Sequence, residues 1–133
     1  METKQVIVLR KDLNMRKGKM VAQGAHASMK VFFDLMRHIG RSGKNDGTSY
    51  QLDITPEMEN WMDGSFTKVC VGVNSEEELY AIYERAKSSG LPCSIITDAG
   101  KTEFNGVPTR TAVAIGPAEV EKVDAITGKL TLL

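Results

Sequence analysis

Cysteine is scarce in this chain: Cys70 and Cys93 are the only two among 133 residues. Both stand in apolar, strand-like runs, and no Cys-x-x-Cys or Cys/His spacing accompanies them. A disulfide scaffold and a structural zinc site are therefore excluded, and small buried thiols are expected. No net charge is present, with 17 basic and 17 acidic side chains, so binding to a polyanion would have to rest on a local patch. Long apolar runs are missing, and Met1 is followed at once by a strand pattern without a basic-then-apolar leader. No membrane association is expected, and a soluble, reduced, cytoplasmic setting is. Repeats and low-complexity tracts are likewise missing.

What is present fits one domain covering 1-133, because this length supports one full hydrophobic core and not two. Apolar residues make up 41% and charged residues 26%, the balance of an ordinary globular protein. The charge is segregated. Arg10, Lys11, Arg16, Lys17 and Lys19 face Asp12 alone, an excess of four positive charges in ten residues, whereas acid gathers at 53–63, 76–78 and 119–124. Such a basic stretch suits either a polyanion or plain solvent.

The β-branched run Gln5-Val6-Ile7-Val8-Leu9-Arg10 reads as a buried strand. A helix is expected from Lys19 to about Ile39, with Val21, Ala25, Met29, Phe32, Met36 and Ile39 as its apolar side and Gly40 as its end. Lys19, Gln23, His26, Lys30, Asp34 and Arg37 fall within roughly 80° of arc on the other side. Residues from Arg41 to Ser49 read as a flexible loop, the start of an extended segment at about 41-64. Within it Thr55-Pro56 opens a short helix, with Trp61 as a packing anchor. Strands follow at 67–73, 92–97 and 110–115, separated by a helix capped by Ser75 and Glu78 and by the loop from Asp98 to Thr109. Gly116-Pro117 is expected to begin a last helix, with a short apolar tail behind it.

Strands alternating with helices predict an α/β fold. Ligands of such sheets collect beyond the carboxyl ends of the strands, so the loop leading into Lys19 and the turn at Asp98 would share one edge if strands one and three run in the same direction. No Gly-x-Ser-x-Gly elbow is found, and the chemistry left is attack by water beside positioned charge. Lys19 and Asp98 are the candidate pair; pairing would favour the charged form of both. Asp98 could also cap the turn at Gly100, and Thr102 could hold a water or bond its own backbone. His26 is either a reactive group or a histidine at the core edge bonding a carbonyl. Gln23 is a candidate contact to substrate, and Lys17, Lys30, Lys101 and Arg110 are candidates for phosphates. Phe104 is the aromatic nearest to the second segment.

The run Gly18-Lys19, Ala22-Gln23 and His26-Ala27, with Asp98-Ala99-Gly100-Lys101-Thr102, Thr109-Arg110-Thr111, Ala114-Ile115-Gly116-Pro117 and Thr127-Gly128, resembles the class II peptidyl-tRNA hydrolases of archaea and eukaryotes. The likeness spans Val6 to Leu133. It implies a three-layer α/β/α domain around a four-stranded mixed β-sheet, often a homodimer, that hydrolyses the ester joining a peptide to the 3′ ribose of tRNA without a metal or other cofactor. Carried over by position, Lys19, Gln23, His26, Asp98, Lys101, Thr102, Thr109 and Thr111 are the implied functional residues, with Lys19, Asp98, Thr102 and His26 as the catalytic set and Gln23, Lys101, Thr109 and Thr111 toward peptidyl-tRNA; Lys17, Lys30 and Arg110 join the substrate contacts on their charge alone. The chain departs from the family pattern at Met20-Val21, at Glu103, and in the six residues from Glu103 to Pro108. A non-catalytic RNA-binding protein of this fold, or an esterase on a related small adduct, are the other readings.

Overall fold

The computed structural model describes residues 1–41 and 47–133. In chain order the elements are β1 (Thr3–Arg10), α1 (Lys17–Phe33), β2 (Arg37–Arg41), β3 (Thr48–Gln51), α2 (Pro56–Asp63), β4 (Lys68–Val73), α3 (Glu76–Ser88), β5 (Cys93–Asp98), β6 (Thr109–Glu119), α4 (Val120–Thr127) and β7 (Thr131–Leu132). The main sheet has the order β5-β6-β1-β4-β7, with β4 parallel to β1 and β6 antiparallel to both β1 and β5. It is a mixed sheet of five strands, not four. The difference is the apolar tail, where Thr131 and Leu132 pair with Gly72 and Val71 of β4.

One face of the sheet carries α3 and α4, which close a core of Val6, Val8, Val113 and Ile115 against Leu79, Ile82, Val123 and Ile126. The other face carries α1, where Ala27 and Val31 meet Ile7, Leu9, Ile96, Ala112 and Ala114. Caps form where the sequence supplies them: the Thr55 hydroxyl accepts from the Met58 N–H at the start of α2, and the Ser75 hydroxyl accepts from the Glu78 N–H at the start of α3. Trp61 is buried, donates its indole N–H to the Thr67 carbonyl at 2.7 Å and stacks on Phe32, which fastens α2 beside α1.

Helix α1 departs from expectation in length and in orientation. It stops at Phe33, and Arg37–Arg41 pairs with Thr48–Gln51 as a separate two-stranded ribbon. Of the loop expected from Arg41 to Ser49, residues 42–46 lie outside the described residues. Val21 (72% exposed) and Met29 (54%), expected in the core, face outward, and the buried residues are Gln23, Gly24, Ala27 and Val31. The small side chains Gly24 and Ala27 let the helix axis approach the sheet; a Cβ at Gly24 would lie 3.5 Å from the Ile7 side chain. Two polar ties fix the helix there. Ser94 of β5 donates to the Ala27 carbonyl at 2.7 Å, and Ser28 donates to the Gln5 side chain at 2.5 Å.

Gly116-Pro117 does not open a helix. Both lie within β6, at a shift in its register against β1, where a proline without an N–H is tolerated. The Gly116 carbonyl accepts from Gln5 at 3.1 Å, and with φ at +92° a Cβ on Gly116 would sit 2.5 Å from the Lys4 carbonyl oxygen. The cysteines also differ from expectation. Cys93 is half-buried and its thiol is pushed up from the usual value chiefly by burial, whereas Cys70 is exposed. The reason is that α1 packs over β1, β5 and β6, while Cys70 stands on β4.

Candidate active site

Because β5 and β1 are both antiparallel to β6, they run in the same direction, and their carboxyl ends open on one edge. Asp98 is the last residue of β5, and Lys19 stands in the first turn of α1, just after the loop that leaves β1. The two side chains meet: Lys19 Nζ lies 3.0 Å from Asp98 Oδ1, with 14% and 17% of the respective side chains exposed. Lys19 also donates to the Thr102 hydroxyl at 3.1 Å. The ammonium is therefore shared between the strand end and the loop beyond it.

Asp98 is the hub of the cluster. Its Oδ1 accepts from Lys19 and, at 3.2 Å, from Gln23 Nε2, while its Oδ2 accepts from the Gly100 N–H at 2.8 Å. Burial pushes the carboxyl toward neutrality, but the bonds from Lys19 and Gly100, the charge of Lys19 and the bond from Gln23 outweigh it, and the net effect holds the group below the usual aspartate value. Capping the turn and pairing with the lysine are both realised, one oxygen for each.

Gln23 is 1% exposed, and it is buried polar because it is satisfied at both ends. Its Oε1 accepts the hydroxyl of the fully buried Thr111. Thr111 reaches α1 through a bulge: Ile96 pairs with Ala112 and Thr97 with Arg110, so Thr111 is the extra residue and turns to the same face as Ala112. On the other face, Arg110 stacks on Tyr80, with 4.4 Å from its guanidinium carbon to the ring centroid, and lies 3.8 Å from Glu76. Arg110 is thus engaged away from the cluster.

Of the residues singled out in the sequence, Lys19, Gln23, Asp98, Thr102 and Thr111 come together. Thr109, opposite Asp98 in the ladder, bonds its hydroxyl to the Val107 carbonyl at 2.8 Å. His26 is exposed on α1 one turn beyond Gln23, and Lys101 is exposed in the loop beside Thr102. Lys30 is paired with Asp34 at 2.7 Å, and Lys17 points to the opposite flank of α1. Two contributors were not assigned a place in the site from sequence: the Gly100 amide, and Phe104, whose ring centroid is 5.4 Å from Lys19 Nζ. Among the described residues no three His, Cys, Asp or Glu side chains are grouped so as to hold a metal ion.

The family model for peptidyl-tRNA hydrolase PTH2 matches residues 3–133. This chain belongs to that family. It is 48% identical over 130 residues to a peptidyl-tRNA hydrolase of Methanocaldococcus jannaschii, covering 98% of this chain and 99% of that protein. It is 42% identical to peptidyl-tRNA hydrolases of Halobacterium salinarum, over 97% of this chain and 98% of that protein, and of Sulfurisphaera tokodaii, over the full length of both. Membership of the peptidyl-tRNA hydrolase family gives the Lys19–Asp98 cluster a substrate to be tested with, an acyl ester on the end of tRNA.

Proposed function

We propose that the protein hydrolyses the ester between the peptide, or an N-blocked aminoacyl group, and the 3′ ribose of tRNA, and that the cluster around Asp98 carries the reaction. The observation supporting this reading is the pairing of Lys19 with Asp98 at the ligand edge of the sheet in a chain of this family. An ammonium has three N–H donors, and two are taken by Asp98 and Thr102. The third is available for the oxyanion that forms at the acyl carbon or for the departing 3′ oxygen. Electrostatic stabilisation of this kind is worth about 10²-fold to 10³-fold in rate.

Asp98 accepts bonds from three donors and is held below its usual value, which makes it a poor proton acceptor and a good anchor. Its role in this reading is to orient Lys19. The Thr102 hydroxyl holds the attacking water. The water oxygen bonds to the acyl carbon, the carbon–oxygen bond to the ribose breaks, and one proton of the water passes to the departing 3′ oxygen, leaving a carboxylic acid and a free 3′ hydroxyl. His26 and Lys101, both exposed, are the side chains we assign to the tRNA; Lys17, which lines a groove on the opposite flank of α1, is not among them. No step requires a metal or other cofactor.

The deciding experiment is release of the acyl group from N-blocked aminoacyl-tRNA, compared with Lys19→Ala and Asp98→Ala and run at low and high salt. Wild-type release with both variants reduced by about 10²-fold or more supports the reading. Binding of tRNA without release, or normal turnover by either variant, overturns it. Binding dominated by phosphates should weaken steeply with salt.

We further infer a homodimer and a cytoplasmic location beside the translation machinery. Support for the dimer comes from an apolar groove of about 450 Å³ on the flank of α1 away from the cluster, lined by Ile7, Met20, Val21, Ala25, Cys70 and Leu133. No helix among the described residues is long and apolar enough to cross a membrane.

A further inference from the structure

Lys19 has a third neighbour besides Asp98 and Thr102. Its ammonium lies over the ring of Phe104, 5.4 Å from the centroid. Phe104 belongs to the loop that supplies Thr102, and that loop is closed on itself: the Gly106 N–H bonds the Gly100 carbonyl at 2.8 Å and the Val107 N–H bonds the Phe104 carbonyl at 2.9 Å. The ring is partly buried against the core formed by Ile7, Leu9, Ala27, Ile96 and Ala112. It is thus backed by packed side chains, with the lysine on its π face.

A lysine side chain has four methylenes and several rotamers, so two hydrogen bonds at its tip leave freedom in the stem. An aromatic face attracts the cation without consuming an N–H, because the attraction comes from the ring quadrupole and not from a lone pair. It also keeps water from one side of the pair, which strengthens the charge–charge contact. An apolar side chain of equal size would supply the packing without the attraction.

We propose that Phe104 is a positioning residue for this hydrolysis: its ring holds the Lys19 ammonium against Asp98 and Thr102, leaving one N–H of the lysine for the substrate. The proposal rests on the hydrolytic reading above and deepens it. It commits to the electrostatics of the ring, not to its bulk.

The test replaces Phe104 with 4-fluoro-, 3,5-difluoro- and 3,4,5-trifluorophenylalanine, which drain the π face while nearly keeping the shape, and with leucine (Phe104→Leu). The readouts are kcat and KM on N-blocked aminoacyl-tRNA and the proton shifts of the Lys19 ε-methylene. The expected result is a stepwise fall in kcat along the fluorinated series, reaching about 2-fold to 10-fold in the trifluoro and leucine forms, with KM nearly constant. The ε-methylene protons should lose their ring-current shift in Phe104→Leu. Wild-type kcat in the trifluoro form overturns the proposal, and so does an unshifted ε-methylene in Phe104→Leu. Should Phe104→Leu fail to fold, the fluorinated series decides. Failure of the hydrolytic reading would look different: wild-type protein would release no acyl group, while the methylene shifts would still report the ring on the lysine.

Discussion

Thr111 donates its hydroxyl to Gln23 Oε1, and this fixes which end of the amide faces Asp98. An amide free to flip would present either an oxygen or an NH₂ group to the carboxylate; with Thr111 in place the NH₂ group is the one that reaches it. The bulge in β6 is therefore connected to Lys19 by a chain of hydrogen bonds, through a glutamine with no side-chain charge of its own.

Thr111→Val should break that chain with little change of shape. It leaves Gln23 Oε1 buried without a donor, at a cost of about 1 to 3 kcal/mol in urea unfolding. Turnover should fall as well, with kcat more affected than KM, because Asp98 loses a fixed partner and the substrate surface is untouched. A variant as stable as wild type would show that Gln23 finds another donor.

Acid should weaken the fold through Asp98. Its folded-state carboxyl titrates below the ordinary value of 3.8, so near that value the unfolded chain binds more protons than the folded one. The stability contributed is complete above 3.8 and is lost as pH falls through the lower folded value. Measured by urea midpoints between about pH 5 and pH 2, the gap between wild type and Asp98→Asn should narrow toward the acid end. Parallel curves would contradict the shift.

How much of this was legible in the sequence depended on which interactions set each feature. The α/β order, the caps at Thr55 and Ser75 and the meeting of Lys19, Asp98 and Thr102 follow from local pattern and motif, and they appear as expected. The buried face of α1 does not, because counting large apolar residues selects Val21 and Met29, whereas close approach to the sheet selects Gly24, Ala27 and a glutamine whose partner lies 88 residues away. The ribbon at Arg37–Arg41 continues a helical period in sequence and is set by pairing with Thr48–Gln51. Arg110 stands on the face of Tyr80, away from the cluster, because a bulge at Thr111 breaks the alternation of β6, a long-range pairing feature with no local signal.

Val21 offers a direct check of self-association. It is exposed and lines the apolar groove, so Val21→Lys should leave the fold and the Asp98 cluster intact while placing a charge where a second copy would seat. Light scattering coupled to gel filtration should give a dimer mass for wild type and a monomer mass for the variant. A monomer mass for wild type at all concentrations removes the dimer from the reading.

Gly100 and Gly106 separate loop geometry from simple backbone strain. Both have positive φ, +80° and +76°, so alanine is disfavoured at each by about 1 to 2 kcal/mol. Their surroundings differ. A Cβ at Gly100 would lie 2.1 Å from the Val107 carbonyl oxygen, whereas nothing lies within 4 Å of a Cβ at Gly106. Gly100→Ala must therefore push the chain at Val107 away or pull the Asp98 turn out of place, moving Thr102 and Phe104 relative to Lys19. Displacements on the order of 1 Å near reacting groups cost about 10²-fold in rate. The expected outcome is a loss of stability of about 1 to 2 kcal/mol in Gly106→Ala, from the positive φ alone, a larger loss in Gly100→Ala, where the backbone contact adds to it, and a far larger loss of kcat in Gly100→Ala. Equal kcat losses would mean that the loop's exact path is not what places the hydroxyl and the ring around the lysine.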